Sequence, residues 1–436
     1  STALGCDARS FSDTRLGKTL DRIYDYGTDN LFSLIAQRVL RSPASPAQRR
    51  LFRADTTSLV LHGAFDQDPD SDDTDAGPTP AYGYSKDHRP DLKQLMLSLC
   101  IDQSNRPCAF FPLDGNTADQ PANRQLLHHV AANLKPTDGA TWVGDAKLVD
   151  PDTLGQLRKH GFHFVSLLPR TYALRTHLVD TAVDKEMTVV ADKPAKKVGG
   201  ARRLWRATSL NHNFPLRSSP DADEEMTELR FVVVHSSQLA EKFEVGLPAK
   251  LERERAALRR AVPKTGFACR ADAEGAFAGV RKREKLLVAE LDVVEETERI
   301  KTTKRGRPRV GEVRSRTVYR VVLREARENA DVIAHARRQA SHFVLVTDHV
   351  DEQEWSNQEV FDVYQGQQSI EGTTGFRWLK DAAVAPVLLK DPRRIAALLF
   401  VFVVALLVRN HIENRVRTRL AELNEEIRYY THNRRT

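Results

Sequence analysis

The sequence predicts an α/β protein: a mixed five-stranded sheet, a second domain inserted into it, and helices towards the end. Three observations favour this class. Apolar runs of strand length recur up to residue 168 and, after the third run, alternate with helical patterns. Residues 169–342 depart from this rhythm and carry long charged stretches. Beyond residue 343, one more apolar run is followed mainly by residues at helical spacing.

Residues 1–46 are predicted to form an N-terminal helical segment. Leu16, Leu20 and Ile23 recur at helical spacing, and Ser12 precedes them as a candidate N-cap. The simplest interpretation is a packing helix pair that ends in a linker rich in Ser and Pro.

The first predicted strand, Arg53–His62, contains an aspartate near its start. Asp55 has β-branched and apolar neighbours, which indicate a half-buried strand. A carboxylate in that setting costs free energy unless something pairs with it, and a bound cation is a good partner. We therefore expect Asp55 to be a metal ligand. A hydrogen-bonded structural aspartate is the alternative.

Residues 47–168 are predicted to form the first part of the core, in the order β-β-β-α-β-α-β. The elements after the first strand are Leu95–Ile101, Cys108–Leu113, a helix ending near Leu134, Ala140–Gly144, Pro151–His160 and Phe162–Leu168. Hairpin-connected strands followed by parallel crossovers are typical of an RNase H-like domain. There the first and fourth strands are neighbours, so Asp145, at the end of the fourth, would meet Asp55. A helix cap is the alternative role for Asp145.

Residues 169–342 are predicted to be a β-rich, basic insertion domain. Between Lys250 and Arg320 there are 20 Lys and Arg against 11 Asp and Glu, a net charge of +9, whereas the whole chain carries +7. Charge concentrated in this way favours a polyanionic partner such as DNA.

An AT-hook-like run lies inside this basic segment. It contains Arg-Gly-Arg-Pro, in which the glycine lets the backbone enter a narrow A·T minor groove while arginines meet its negative potential. The candidate DNA contacts are Lys304, Arg305, Arg307 and Arg309. A solvated basic turn between two strands is the alternative.

Residues 343–409 are predicted to complete the core, and residues 410–436 to form a helical tail. Phe343–Thr347 is the apolar strand, and Ser356-Asn-Gln-Glu359 fits a capping box at a helix start. The run Ile395–Val408 has fourteen uncharged residues. A membrane-spanning helix needs about 20, so we expect a buried core helix and no membrane partner.

The cysteines favour a reducing compartment. Cys6, Cys100, Cys108 and Cys269 show no metal-type spacing and are too sparse for a disulfide framework. The first residues lack the basic end and the apolar run that are typical of a signal peptide. We therefore expect a cytoplasmic protein.

Short motifs are spread through the predicted core. They are Asp55-Thr-Thr-Ser, Tyr82-Gly-Tyr-Ser-Lys-Asp-His-Arg-Pro-Asp-Leu, Gly115-Asn-Thr-Ala-Asp119, Gly144-Asp145 and Tyr364 through Lys380. As a set they resemble the DDE transposases of bacterial insertion sequences. The subgroup has a Tyr-Arg-Glu-Lys signature and a β insertion before its last acidic residue. The resemblance covers roughly Asp55 to Arg409.

The resemblance implies a catalytic triad of Asp55, Asp145 and Glu371. These carboxylates would bind two Mg²⁺ or Mn²⁺ ions about 4 Å apart, since hard oxygen ligands suit such ions. Of the three, Glu371 rests on the resemblance, because many glutamates are available on composition alone.

The signature differs from the family pattern in two places. Tyr364 and Glu371 keep the expected separation, but Gln367 stands in the place of the Arg. Lys380 follows Glu371 by nine residues instead of seven, so Arg377 is a second candidate for the Lys role. With the second motif included, the expected DNA contacts are Tyr364, Gln367, Arg377, Lys380, Lys86 and Arg89.

The function implied is cut-and-paste transposition of an insertion sequence. A metal-activated water would nick the end of the element, and the freed 3′-hydroxyl would attack the other strand and then target DNA. The partners implied are the terminal inverted repeats, target DNA and a second copy of the chain, in the bacterial cytoplasm at the nucleoid. The alternative is a catalytically inactive DNA-binding remnant, and a membrane-associated protein is a third possibility.

Overall fold

The computed structural model describes most of the chain. The described residues are 12–40, 49–63, 65, 77–84, 89–134, 139–195, 200–219, 221–299, 315–381 and 389–425. The chain divides into two compact units. Unit 1 comprises Ser1–Arg175, Ser209–Val232 and Val344–Thr436, and unit 2 comprises Thr176–Thr208 and Val233–Phe343. Ser209–Val232, although inside the predicted insertion, therefore belongs to unit 1.

The predicted α/β class is confirmed, with a large mixed sheet and a long helix near the C-terminus. The strands are β1 (Leu51–Val60), β2 (Gln94–Asp102), β3 (Pro107–Leu113), β4 (Thr141–Gly144), β5 (His163–Leu167), β6 (Thr188–Lys193), β7 (Arg203–Leu216), β8 (Glu225–Ser236), β9 (Leu287–Arg299), β10 (Ser315–Glu328) and β11 (His342–Thr347).

Helices connect and cover these strands. They are α1 (Asp13–Tyr26), α2 (Thr28–Leu40), α3 (Asp119–Leu134), α4 (Pro151–Lys159), α5 (Ala173–Ala182), α6 (Ser237–Ala261), α7 (Arg270–Gly275), α8 (Phe277–Arg281), α9 (Ala330–Ser341), α10 (Asn357–Gln365), α11 (Gln368–Glu371), α12 (Phe376–Leu379) and α13 (Pro392–Leu423). The predicted helix pair at the start is present as α1 and α2, and the predicted capping box begins α10.

The strands of unit 1 follow the order β3-β2-β1-β4-β5-β11-β8-β7, so the sheet is larger than the five strands predicted, because β11, β8 and β7 extend it beyond β5. β1 pairs antiparallel with β2 and parallel with β4, with Phe52 opposite Trp142. β4 pairs parallel with β5, and β5 antiparallel with β11. The predicted order β-β-β-α-β-α-β and the pairing of the first and fourth strands are therefore both found.

Alternation along β1 separates two buried faces. Leu59 belongs to a buried cluster with Ile370, Phe376 and apolar residues of α2 and α13. Phe52, on the other face, packs edge-on against Phe162, with ring centroids 5.8 Å apart. Side chains two residues apart point to the same side of a strand, so Asp55 shares the face of Leu59. The helices near Glu371 cover that face.

α13 joins the predicted core helix and the predicted tail into one helix of 32 residues. Asp391 caps its start by accepting from Arg393 N at 2.9 Å. Just past the apolar run, buried Asn410 anchors the helix: its Nδ2 donates to Asn105 O at 2.6 Å and to Thr374 O at 2.8 Å.

α13 is also long and apolar enough to cross a membrane by length and composition. Half of its most apolar stretch is buried inside the protein. Ile395, Leu399, Val403 and Leu406 are among its buried side chains, as expected of a core helix.

Unit 2 contains both strands and helices. β6 pairs antiparallel with the first residues of β7, and β9 with β10. The long helix α6 packs on β9, β10 and α9 through a cluster that includes Leu251, Leu258 and Leu287. Buried Glu254 of α6 accepts from the backbone amides of Lys285, Leu286 and Leu287, which fixes the start of β9. Unit 2 therefore contains strands, as expected for the β-rich segment, whereas the helices α6 and α9 were not anticipated.

Candidate active site

Asp55 lies in β1 and is partly exposed between buried neighbours. The Thr56 amide donates to its Oδ1 at 2.7 Å and so orients the carboxylate. The regular pairing of β1 with β2 continues through Asp55, which faces Leu99. The acidic side chain is thus held on a rigid strand.

Asp145 follows directly after β4. Its Oδ1 accepts from Lys147 N at 3.0 Å and caps the 3-10 turn Ala146–Leu148. Ser166 of β5 donates to Asp145 O at 2.7 Å, which fixes the backbone. The cap of the next helix, the alternative predicted for Asp145, is Asp150, which accepts from two amides of the first turn of α4.

Glu371 is exposed at the end of α11 and shares a cavity with Asp55. The cavity has a volume of about 280 Å³ and is lined by Asp55, Thr56, Thr57, Glu371, Phe376, Arg377, Lys380 and Asp381. Both candidates for the Lys of the signature therefore line the same cavity as these two carboxylates. Arg377 also lies 3.7 Å from Asp381 in an exposed ion pair.

Tyr364 lies close enough to Asp145 and Glu371 to be affected by the charge of both. The pKa of the phenol is raised to about 12, first by burial and then by the negative charges of Asp145 and Glu371. Both carboxylates therefore lie within electrostatic reach of one hydroxyl. With the cavity shared by Asp55 and Glu371, this brings the predicted triad into one region of unit 1.

Tyr364 and Glu371 do not lie on one continuous helix. α10 ends at Gln365, and around Gly366 the backbone bonds span three residues, as in Gln367 N to Tyr364 O at 3.0 Å. Such 3-10 bonds tighten the chain and begin the separate turn α11.

Gln367 is buried, so it faces the core and not a DNA backbone as predicted. Its Nε2 donates to Ala54 O at 2.9 Å, beside Asp55. A side chain in this place therefore ties α11 to β1. This contact therefore helps to fix the position of Glu371, the last residue of α11, relative to β1.

Arg53 is a residue of this region that the sequence analysis missed. It is buried, and a Cβ on Gly366 would lie 2.6 Å from its Nη2, so only glycine fits there without a shift. Burial lowers the pKa of the Arg53 guanidinium, and the charge of Asp102 opposes this. The available signal was its position two residues before Asp55, on the same strand face.

Asp119 forms a second connection, named here the Asp119 clamp. Its carboxylate accepts from Thr56 Oγ1 and from Lys147 Nζ. Thr56 follows Asp55, and Lys147 lies two residues after Asp145, so the clamp links the two segments that carry these aspartates. The motif Gly115–Asp119 was the signal for it.

The remaining predicted DNA contacts are placed only in part. Arg89 is exposed and pairs with Asp91 at 2.8 Å, which raises the pKa of the guanidinium. Lys86, Lys304, Arg305, Arg307 and Arg309 lie outside the described residues.

The donor chemistry of the triad fits divalent cations. Amides orient one oxygen of Asp55 and one of Asp145, and Glu371 faces the cavity. Carboxylate oxygens suit Mg²⁺ and Mn²⁺. Within the described residues, these three do not form a group with all ligand atoms inside 4.8 Å. A pair of ions about 4 Å apart requires a wider spread of ligands than one ion does.

Comparisons with known proteins do not identify a family for this chain. No family model matches the chain, and no curated protein matches it. A cryo-EM structure of a piggyBac transposase synaptic complex with hairpin DNA covers 98% of this chain, with 8% sequence identity and a TM-score of 0.24. This chain spans 66% of the length of that one. At that TM-score the likeness carries no argument about fold or activity.

Proposed function

We propose that this chain is a DDE-type DNA transposase with an RNase H-like catalytic core. Its activity would be metal-dependent nicking at the ends of an insertion sequence, followed by strand transfer from the freed 3′-hydroxyl. The observation that carries the proposal is the convergence of Asp55, Asp145 and Glu371. These residues are far apart in the chain, and carboxylates gathered from distant segments are typical of functional sites.

The chemistry of the site supports this reaction class. Two divalent ions bound there would activate the attacking oxygen and stabilise the leaving oxygen of the phosphodiester. Asp55 would hold the ions from within β1 and Asp145 from the residue after β4, and Glu371 would approach from the helical side of the cavity. Arg377 and Lys380 would contact the scissile phosphate or its neighbours.

The buried phenol of Tyr364 has a role compatible with this chemistry. Like any tyrosine it is protonated at neutral pH, and burial beside two carboxylates raises its pKa further, to about 12. It can therefore donate a hydrogen bond to a carboxylate or a phosphate oxygen without adding negative charge. We assign Tyr364 to positioning within the site.

The proposed partners are the terminal inverted repeats of the element and its target DNA, held by two copies of the chain. The net charge of +9 between Lys250 and Arg320 supports DNA binding by the inserted segment. The proposed location is the bacterial cytoplasm, at the nucleoid.

A nicking assay tests the proposal. Labelled DNA carrying the ends of the element is incubated with the chain and Mg²⁺ or Mn²⁺. We expect nicking by the wild type and none by Asp55→Asn. Asp381→Asn is the matched control, because Asp381 lines the same cavity outside the triad. No nicking by the wild type, or full nicking by Asp55→Asn, would contradict the proposal.

The second candidate function is a DNA-binding remnant without catalysis. The observation that favours it is Gln367, which is buried where the family signature has a phosphate-binding Arg. This candidate predicts salt-sensitive binding to the element ends with no cleavage in any divalent metal. The same assay, run with a binding measurement, separates the two candidates.

A further inference from the structure

A cluster of His163, Asp348 and His349 lies away from the proposed active site. His163 is the first residue of β5, and Asp348 and His349 directly follow β11. β5 is parallel to β4 and antiparallel to β11, so all three lie at the edge of the sheet where β4 begins. Asp145 lies at the other end of β4. The cluster is therefore separate from the triad.

The cluster has the donor atoms of a metal site within a short distance. Each of the three residues offers one ligand atom, and these atoms all lie within 4.8 Å of one another. His163 Nδ1 is 3.0 Å from Asp348 Oδ2, and His349 Nε2 is 3.0 Å from Thr141 Oγ1. The two imidazole rings have centroids 4.3 Å apart and planes inclined by 30°.

Outer contacts hold these donors in place. The Phe164 amide donates to Asp348 Oδ1 at 2.9 Å, which orients the carboxylate from β5. Trp355 stacks on His349 with the ring centroids 3.9 Å apart and the planes inclined by 12°. Arg230 donates to Trp355 O at 2.6 Å and to His349 O at 3.3 Å. Ligands of protein metal sites are commonly fixed by such surrounding contacts.

Charge around the cluster is mixed, because the positive charges of Arg49 and Arg230 and the negative charge of Asp348 all act on His349. Arg49, which stacks on Trp355, is paired with Glu359 at 2.9 Å. Arg230 donates hydrogen bonds to backbone carbonyls and to Asn357 Oδ1, the latter at 2.9 Å. Asp348 contributes a carboxylate whose side chain is 9% exposed, whereas the His163 side chain is 42% exposed and leaves an entry path.

We propose that His163, Asp348 and His349 bind one transition-metal ion of the Zn²⁺ and Co²⁺ class. Two imidazole nitrogens and one carboxylate oxygen suit borderline ions of this class better than Mg²⁺. The ion takes the place of the His163–Asp348 and His349–Thr141 hydrogen bonds, which hold the donor atoms together in its absence. Water completes the coordination.

The proposed ion has a structural role. It connects the start of β5 to the segment after β11, two strands that are distant in sequence but adjacent in the sheet. An ion bound only by the folded chain stabilises that fold. The inference does not depend on the proposed function, because neither DNA nor catalysis enters it.

Cobalt titration of the full chain tests the proposal. The protein, without an affinity tag, is stripped with a chelator and titrated with Co²⁺ in excess Mg²⁺, which occupies sites made of oxygen ligands. We expect saturable visible absorption at one Co²⁺ per chain, reversed by Zn²⁺, and a higher midpoint of thermal unfolding. His163→Gln weakens the binding by at least about 10-fold.

The matched control is His128→Gln. His128 Nδ1 lies 3.2 Å from His160 Nε2, and this histidine pair takes no part in the proposed site. The control titrates like the wild type if the proposal is right. His349→Gln, with its fold checked by circular dichroism, repeats the test at a second ligand. Wild type without saturable absorption, or a folded His163→Gln or His349→Gln that titrates like wild type, overturns the proposal.

Discussion

Gly375→Ala tests how Glu371 is held in place. A Cβ on Gly375 would lie 2.0 Å from Ile370 O and 2.7 Å from its carbonyl carbon, both backbone atoms. Reaching an ordinary contact of 3.4 Å requires a displacement of about 1.4 Å, the difference between 3.4 and 2.0 Å. Ile370 immediately precedes Glu371, so the displacement acts on the carboxylate. Misplacing a catalytic group by about 1 Å costs roughly 100-fold in rate.

The assay compares nicking rates at saturating DNA and Mg²⁺. We expect Gly375→Ala to lose about 100-fold in nicking rate while it still binds the element ends. Overpacking also lowers the free energy of unfolding by about 1–3 kcal/mol, so the assay runs well below the unfolding midpoint. Gly372→Ala is the matched control in the same turn, because the nearest atom to its Cβ would be 3.4 Å away. If folded Gly375→Ala nicks like Gly372→Ala, the reasoning fails.

Three further predictions address the clamp, the long helix and pH. Asp119→Asn removes the ion pair with Lys147, so we expect half-maximal nicking to require a higher Mg²⁺ concentration. Lys147→Met should have the same effect. An unchanged dependence of nicking on Mg²⁺ would contradict the role of the Asp119 clamp. Asn410→Ala leaves two loop carbonyls without their buried donor and should lower the free energy of unfolding by about 1–3 kcal/mol in urea titrations, so an unchanged midpoint would contradict this. Burial lowers the pKa of His349 to about 4, so its neutral form contributes stability above about pH 6.5 that is lost as pH falls towards 4. The raised pKa of His163 offsets part of this loss. With chelator present, the free energy of unfolding of the wild type should fall between pH 7 and 5. That of His349→Gln should fall less.

Strand patterns made the position of the first two aspartates predictable. The apolar and β-branched run around Asp55 and the short apolar run before Asp145 both have the length and composition of strands. The RNase H-like arrangement expected from the order of elements then makes their strands neighbours. Such arguments need only local sequence and a topology rule.

The arrangement around Glu371 was not predictable in the same way. The change from α10 to α11 depends on Arg53, which is distant in sequence and packs against Gly366. The clamp depends on Asp119 meeting both Thr56 and Lys147, a contact between three separate segments. Sequence periodicity does not encode contacts of this kind.

Helix α6 shows a second reason why part of the fold could not be predicted from the sequence. It is rich in charged residues, and Pro248 lies inside it, which normally argues against a helix. Its apolar contacts are few, at Leu251 and Leu258 among others, and packing against β9 and β10 stabilises it. Tertiary packing therefore overrides weak local preference here.

Mapping bound metal by local cleavage of the polypeptide tests the central claim most directly. Fe²⁺ replaces Mg²⁺, and ascorbate with peroxide generates radicals that cut the chain near the ion. The account predicts Mg²⁺-suppressible cuts near Asp55, Asp145 and Glu371, all lost together in Asp55→Ala. Cuts near one of these residues alone, or cuts near Asp145 and Glu371 that persist in Asp55→Ala, would contradict it.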